Sequence, residues 1–100
     1  MCGPTVYDMS HLGHARTYLG SDIMKRVMRD YFGYNIHMVM NITDIDDKII
    51  KRANESKEQF NTFSRKYETL FFKDMKALGV ELPDVITRVS EFVPEIVAFI

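Results

Sequence analysis

Tryptophan is absent from this chain, and cysteine occurs once, at Cys2. A single thiol rules out an internal disulfide and points to a reducing compartment, so the cytoplasm is the expected location. No stretch is apolar enough to span a bilayer, and the N-terminus lacks the basic-then-apolar pattern of an export signal. A membrane partner is therefore not expected. Neither sign of charge dominates: 13 Lys and Arg stand against 14 Asp and Glu, for a net charge of −1. The chain as a whole has no pull on nucleic acid, and any such contact must be local. Repeats and low-complexity segments are missing too. At 100 residues there is room for at most one small domain, which buries only about two-thirds of its unfolded surface.

What is present is a histidine-glycine-histidine signature, His11-Leu12-Gly13-His14, directly behind the run Cys2-Gly3-Pro4-Thr5-Val6-Tyr7-Asp8. It opens a strongly patterned helix, and a helix N-terminus offers free N–H groups and the positive end of a dipole. Two imidazoles three residues apart share a face there and can both reach a phosphate. Gly13 between them leaves space where a flat ring or sugar could lie. Such equipment suits nucleotide binding and the stabilisation of charge during attack at phosphorus.

The first eight residues read as the end of a strand entering a Gly-Pro turn. A helix is predicted from about Ser10 to Phe32. Its apolar stripe is Ala15, Leu19, Ile23, Val27 and Tyr31, widened by Met24, Met28 and Phe32, and Gly33 is its stop. Ile36 to Met40 is expected to be a strand buried on both faces. Thr43 then begins a helix, paired with Asp46 in a capping box, while Asp44 with Lys48 and Asp47 with Lys51 form i,i+4 pairs. Ser56 and Gln59 repeat the capping logic for a longer helix ending near Gly79, with Phe60, Phe63, Tyr67, Leu70, Phe71, Met75 and Leu78 on its inner stripe. Pro83 starts a linker, and Pro94 suits the first turn of a last helix reaching Ile100.

Strand, helix, strand, helix is the grammar of a doubly wound α/β fold. Yet helix outweighs what one strand and a strand stub can cover. The expectation is therefore a helix-dominated part, residues 1–100, of a larger Rossmann-like catalytic domain truncated at both ends.

Plainer readings compete at several positions. A lone cysteine is usually a small buried hydrophobe. The histidines could pair on a metal, although a glycine between them at a helix start favours phosphate. His37 reads as a structural strand residue. Capping and i,i+4 pairing account for Asp44, Asp46 and Asp47 without invoking magnesium. Asn41 and Thr43 fall just past the carboxyl end of a predicted strand, where doubly wound folds place ligands. Arg16 and Lys25 are most simply surface charges.

Taken together, Cys2 to Asp8, His11 to Arg16 and Asn41 to Ala53 resemble the cysteinyl-tRNA synthetases, and Leu82-Pro83-Asp84 and Val93-Pro94-Glu95-Ile96 extend the likeness. The stretch Arg26 to Tyr34 is more similar to the eukaryotic cytosolic branch. Leu12 stands where the family signature has isoleucine. This resemblance implies a class I enzyme that activates cysteine with ATP and magnesium, then transfers it to the 3′ end of tRNA(Cys). It further implies His11 and His14 as catalytic residues, and an ATP site of Pro4, Thr5, His11, Gly13 and His14. Gly3 and Thr43 would face the cysteine substrate, and Cys2 would be one ligand of a zinc ion. The other zinc ligands, the second ATP signature and the anticodon-binding region of the family lie outside these residues. A tetrahedral zinc site cannot be built from one thiolate, so residues 1–100 alone are expected to be inactive. Two other functions fit part of the pattern: a cysteine–amino-sugar ligase sharing the adenylation chemistry, and a non-catalytic nucleotide-binding module.

Overall fold

The computed structural model describes residues 1–100. In chain order it contains β1 (Cys2–Thr5), α1 (Leu12–Arg26), β2 (Val39–Thr43), α2 (Asp47–Glu55), α3 (Phe60–Ala77), β3 (Val85–Arg88) and α4 (Val93–Phe99). The three strands form one parallel sheet in the order β1-β2-β3. Helices connect them, as the α/β reading requires, because parallel strands need a long crossover.

Sequence punctuation sets the helix boundaries. His11 caps α1, and beyond Arg26 the helix relaxes into a π-helical turn, Val27–Tyr31, before stopping at Gly33 with φ +70°. Gly79 ends α3 in the same left-handed region, at φ +79°. Pro94 sits in the first turn of α4, where its missing N–H costs nothing.

One core joins the sheet to the helices. Met40 and Ile42 of β2 meet Tyr18 of α1, Ile49 and Ala53 of α2, and Phe63, Phe71 and Met75 of α3, with Val6 closing the end. Tyr18 and Phe71 meet edge to face, with ring centroids 5.1 Å apart. Burial of such rings supplies area and a favourable quadrupole contact.

Several expectations are corrected. The helix predicted from Ser10 begins at Leu12. Its expected inner stripe is the outer one: Leu19, Ile23, Met24, Val27, Met28, Tyr31 and Phe32 are exposed, while Tyr18, Asp22 and Lys25 are buried. Asp22 is buried because it accepts hydrogen bonds from the Glu81 backbone N (3.0 Å) and Arg26 Nε (2.8 Å). Lys25 pairs with Glu81 at 3.1 Å. Arg29 holds the same carboxylate with two nitrogens, and these partners hold the Glu81 pKa down at about 2, Arg29 contributing most.

The second strand is Val39–Thr43, three residues beyond the predicted start, and it is buried on alternate residues instead of both faces. Thr43 consequently ends a strand and does not open a helix. Asp46 is the N-cap of α2, accepting from Lys48 N at 3.1 Å. Asp44 does not reach Lys48, nor Asp47 Lys51. Asp44 is buried instead and accepts from both the backbone N and the hydroxyl of Ser90. The linker after Pro83 becomes strand β3, seeded where Asp84 N and Val85 N both donate to Met38 O. Phe60 and Leu78 of the α3 stripe are exposed, and Ser64 and Glu68 take buried places beside Phe63 and Phe71.

Candidate functional site

The signature histidines sit at the start of α1, behind the loop that leaves the carboxyl end of β1. His11 is the N-cap: its Nδ1 accepts from Gly13 N at 3.1 Å, while His14 Nδ1 accepts from His11 N at 3.3 Å. The two rings stack with centroids 3.9 Å apart and planes 16° from parallel. Together they form a capping box made of imidazoles. An imidazole that accepts at Nδ1 carries its proton on Nε2, so each ring retains one outward N–H donor. Burial first, and the neighbouring His11 second, hold the His14 pKa below the ordinary imidazole value. His14 is accordingly neutral at neutral pH, as its acceptor role demands.

Gly13 has a steric reason to be glycine. A Cβ there would lie 2.9 Å from His11 Cε1 and 3.0 Å from its Nδ1. The space that was expected to receive a ligand is filled by the His11 ring itself.

Thr5, Tyr7, Asp8, His11, His14 and Lys48 line a recess of about 260 Å³. Thr5 is the last residue of β1 and pairs in register with Thr43, the last of β2, so both threonines stand at the carboxyl ends of adjacent parallel strands. Lys48 reaches the recess from the first turn of α2, its ammonium 5.6 Å from the centre of the Tyr7 ring. Arg52 lies 5.9 Å over the same ring and bridges Asp8 at 3.3 Å, which ties the β1–α1 loop to α2. The i,i+4 spacing that pairs Lys48 with Asp44 hides this role, whereas a helix cap at Asp46 puts Lys48 in the first turn.

The remaining expected residues run back along β1. Pro4 is buried. Gly3 packs so tightly on β2 that a Cβ would fall 1.8 Å from Asn41 O. Cys2 is exposed, on the order of 10 Å behind Thr5 at ordinary strand rise. Asn41 lies in mid-strand rather than past its end, and its Oδ1 accepts from Gly3 N at 3.1 Å. No three His, Cys, Asp or Glu side chains converge as a possible metal site. Cys2 is thus a single donor, and residues 1–100 do not by themselves fit a zinc ion. Asp44 is bound to Ser90, and Asp46 caps its own helix.

A parallel sheet with helical crossovers, and a helix that starts at the carboxyl end of its first strand, is the architecture of a doubly wound α/β domain. Residues 1–100 match the family model for the catalytic domain of class I (C) tRNA synthetases. The chain belongs to that family. Among its relatives, the cytoplasmic cysteine–tRNA ligase of Dictyostelium discoideum is 61% identical over 99 residues, 99% of this chain and 15% of that protein. The cysteine–tRNA ligases of Encephalitozoon cuniculi and Thermococcus gammatolerans are 56% and 52% identical over 100 residues, in each case 21% of the relative. The chain therefore spans 15% to 21% of the length of these relatives. No helix is long and apolar enough to cross a membrane.

Proposed function

We propose that this chain belongs to the adenylation site of a cytoplasmic cysteine–tRNA ligase. The observation that carries the reading is the stacked His11–His14 pair, whose Nδ1 atoms cap α1 and whose Nε2–H groups remain to donate. The relatives' name, cysteine–tRNA ligase, supports cysteine and tRNA as the substrates, and the proposed reaction takes tRNA(Cys) and ATP. Residues 1–100 are read as part of the catalytic domain.

In the reaction, the cysteine carboxylate attacks the α-phosphorus in line, and pyrophosphate leaves. Cysteinyl adenylate forms; the 3′-terminal hydroxyl of the tRNA then takes the cysteinyl group, and AMP leaves. Charge builds on the phosphate oxygens during attack, and the two imidazole N–H donors are placed to receive it without reorganisation. Pro4 and Thr5 shape the floor beside them, Gly13 keeps the His11 ring in place, and magnesium accompanies the triphosphate. Gly3 and Thr43 are assigned to the cysteine side of the site. Cys2 is assigned as one zinc donor whose partners these residues do not supply, and no step is derived through that metal.

His11→Asp tests the reading in the complete gene product. Aspartate caps a helix as well as histidine can, but once ionised it has no donor to offer. Helix content and thermal midpoint should stay near wild type, whereas cysteine-dependent ATP–pyrophosphate exchange should fall about 10²–10³-fold, the cost of one oxyanion donor. Exchange within threefold of wild type would remove the proposed role. Wild-type exchange with cysteine but not serine, followed by charging of tRNA(Cys) and not of an amino sugar, separates the ligase from its alternatives.

A further inference from the structure

Strand β1 is irregular where the candidate site needs it. From Cys2 to Thr5 it advances three residues, while its partners on β2 advance two, from Asn41 to Thr43. One residue is therefore bulged within Gly3-Pro4, and Pro4 has no N–H to give to the ladder. Bulges re-aim side chains, and they occur beside active sites more often than elsewhere. A strand that loses ladder bonds at a bulge needs others to fix it.

Two side chains provide them. Asn41 Oδ1 accepts from Gly3 N at 3.1 Å. Tyr18 donates its hydroxyl to the Cys2 carbonyl at 3.2 Å, from a ring only 4% exposed and locked edge-on against Phe71. Tyr18 also lies one helical turn after His14, the two ring centroids 6.3 Å apart. The same helix that carries the histidine pair thus grips the backbone of Cys2.

We propose that Tyr18 and Asn41 are positioning residues, which hold the Cys2–Gly3 peptide at the start of the bulge in register with the histidine pair and so set the amino-acid side of the site. The inference rests on the ligase reading above. Neither residue touches the recess beside His11. Both bonds fall on the Cys2–Gly3 peptide, ahead of Pro4 and Thr5, so their loss acts on the amino-acid side and spares the ATP side.

Tyr18→Phe keeps the buried ring and deletes one hydrogen bond; Asn41→Ala deletes the other. In the complete gene product, each variant should raise the KM for cysteine in pyrophosphate exchange about three- to tenfold, with the KM for ATP within twofold of wild type. Alkylation of Cys2 by iodoacetamide after metal removal, followed by peptide mapping, should speed up at least threefold. Other cysteines should react as before. A cysteine KM and a Cys2 alkylation rate both unchanged, with or without a lower melting point, would overturn the proposal and leave Tyr18 and Asn41 as packing residues. So would equal rises in both KM values. Absence of cysteine-dependent exchange in the wild type would instead sink the ligase reading, and the alkylation rates would still decide whether the two side chains fix the bulge.

Discussion

Two glycines exposed to the same substitution should respond with opposite sign. A Cβ on Gly3 would fall 1.8 Å from Asn41 O and 2.9 Å from Met40 Cγ. Ordinary contact is about 3.5 Å or more, so β1 would have to back away from β2 by nearly 2 Å, a large share of the roughly 4.8 Å between strands. That movement cannot be absorbed by a side chain, because the atom in the way is backbone. Overpacking alone costs about 1–3 kcal/mol. Losing the Gly3–Asn41 bond and one neighbour adds about 0.5–1.5 kcal/mol each. Gly3→Ala should therefore destabilise the fold by about 2–6 kcal/mol. At Gly20, within α1, a Cβ meets nothing within 4 Å. Gly20→Ala should instead stabilise by about 0.5–1 kcal/mol, since alanine loses less backbone freedom in a helix. Thermal unfolding of the complete gene product, followed by far-ultraviolet circular dichroism, reads both signs, at about 2–4 °C per kcal/mol for a domain of 150–250 residues. A Gly3→Ala melting point within about 3 °C of wild type would refute the close approach of β1 to β2, and destabilisation at Gly20 would refute the open face of α1.

Two further perturbations test the ionic and titrating groups. Glu68, 8% exposed, holds Arg88 through contacts down to 2.6 Å. Glu68→Ala should cost about 2–3 kcal/mol by urea unfolding, at or just below the lower end for a broken buried pair, because Arg88 is 22% exposed and keeps Glu91 at 3.4 Å. Acid should act first through His14. Its folded pKa lies below the unfolded 6.5, so between those values the unfolded chain binds more protons, and stability falls as pH drops through 6.5 and below. Above that range the contribution is complete, and a His14→Gln variant should show a flatter stability-versus-pH curve there. Glu81 behaves in a separate window: held at about 2 against 4.5 unfolded, its contribution is present above pH 4.5 and lost as pH falls towards 2.

Local signals were legible wherever backbone chemistry alone decides. Gly33 and Gly79 stop helices because glycine takes positive φ readily, and Pro94 opens one for want of an N–H. The histidine signature marked a helix start for the same reason. What depended on distant partners was not legible. Periodicity showed that α1 has an apolar stripe, but the face that packs is chosen by Phe71 and by the Glu81 backbone, more than 50 residues away. Strand β3 is four residues long and lies behind a proline; it becomes a strand because β2 offers it an edge. The start of β2 was misjudged because Ile36 to Met40 is more apolar than Val39 to Thr43, yet only one face of the strand is covered. Lys48 enters the recess because α2 is capped at Asp46, a position that the Asp44–Lys48 spacing masks.

On the proposed function, histidine at both signature positions answers a conflict that other side chains cannot resolve. A helix start needs acceptors for its free N–H groups, whereas a phosphate in attack needs donors. Serine could serve both but reaches little beyond the backbone, ionised aspartate accepts only, and lysine or arginine donates only. Imidazole accepts at Nδ1 and donates at Nε2 across a rigid ring, so the donor capacity of Gly13 N and His11 N is carried outward by one ring width. Stacking at 3.9 Å keeps both rings in that orientation, and the depressed pKa of His14 protects the arrangement, because a proton on Nδ1 would end the cap. Gly13 completes the device by leaving the His11 ring room to lie over the backbone. The stability of the helix start and the electrostatics of the site are thus one set of hydrogen bonds, which is why a substitution that preserves acceptance but not donation separates the two.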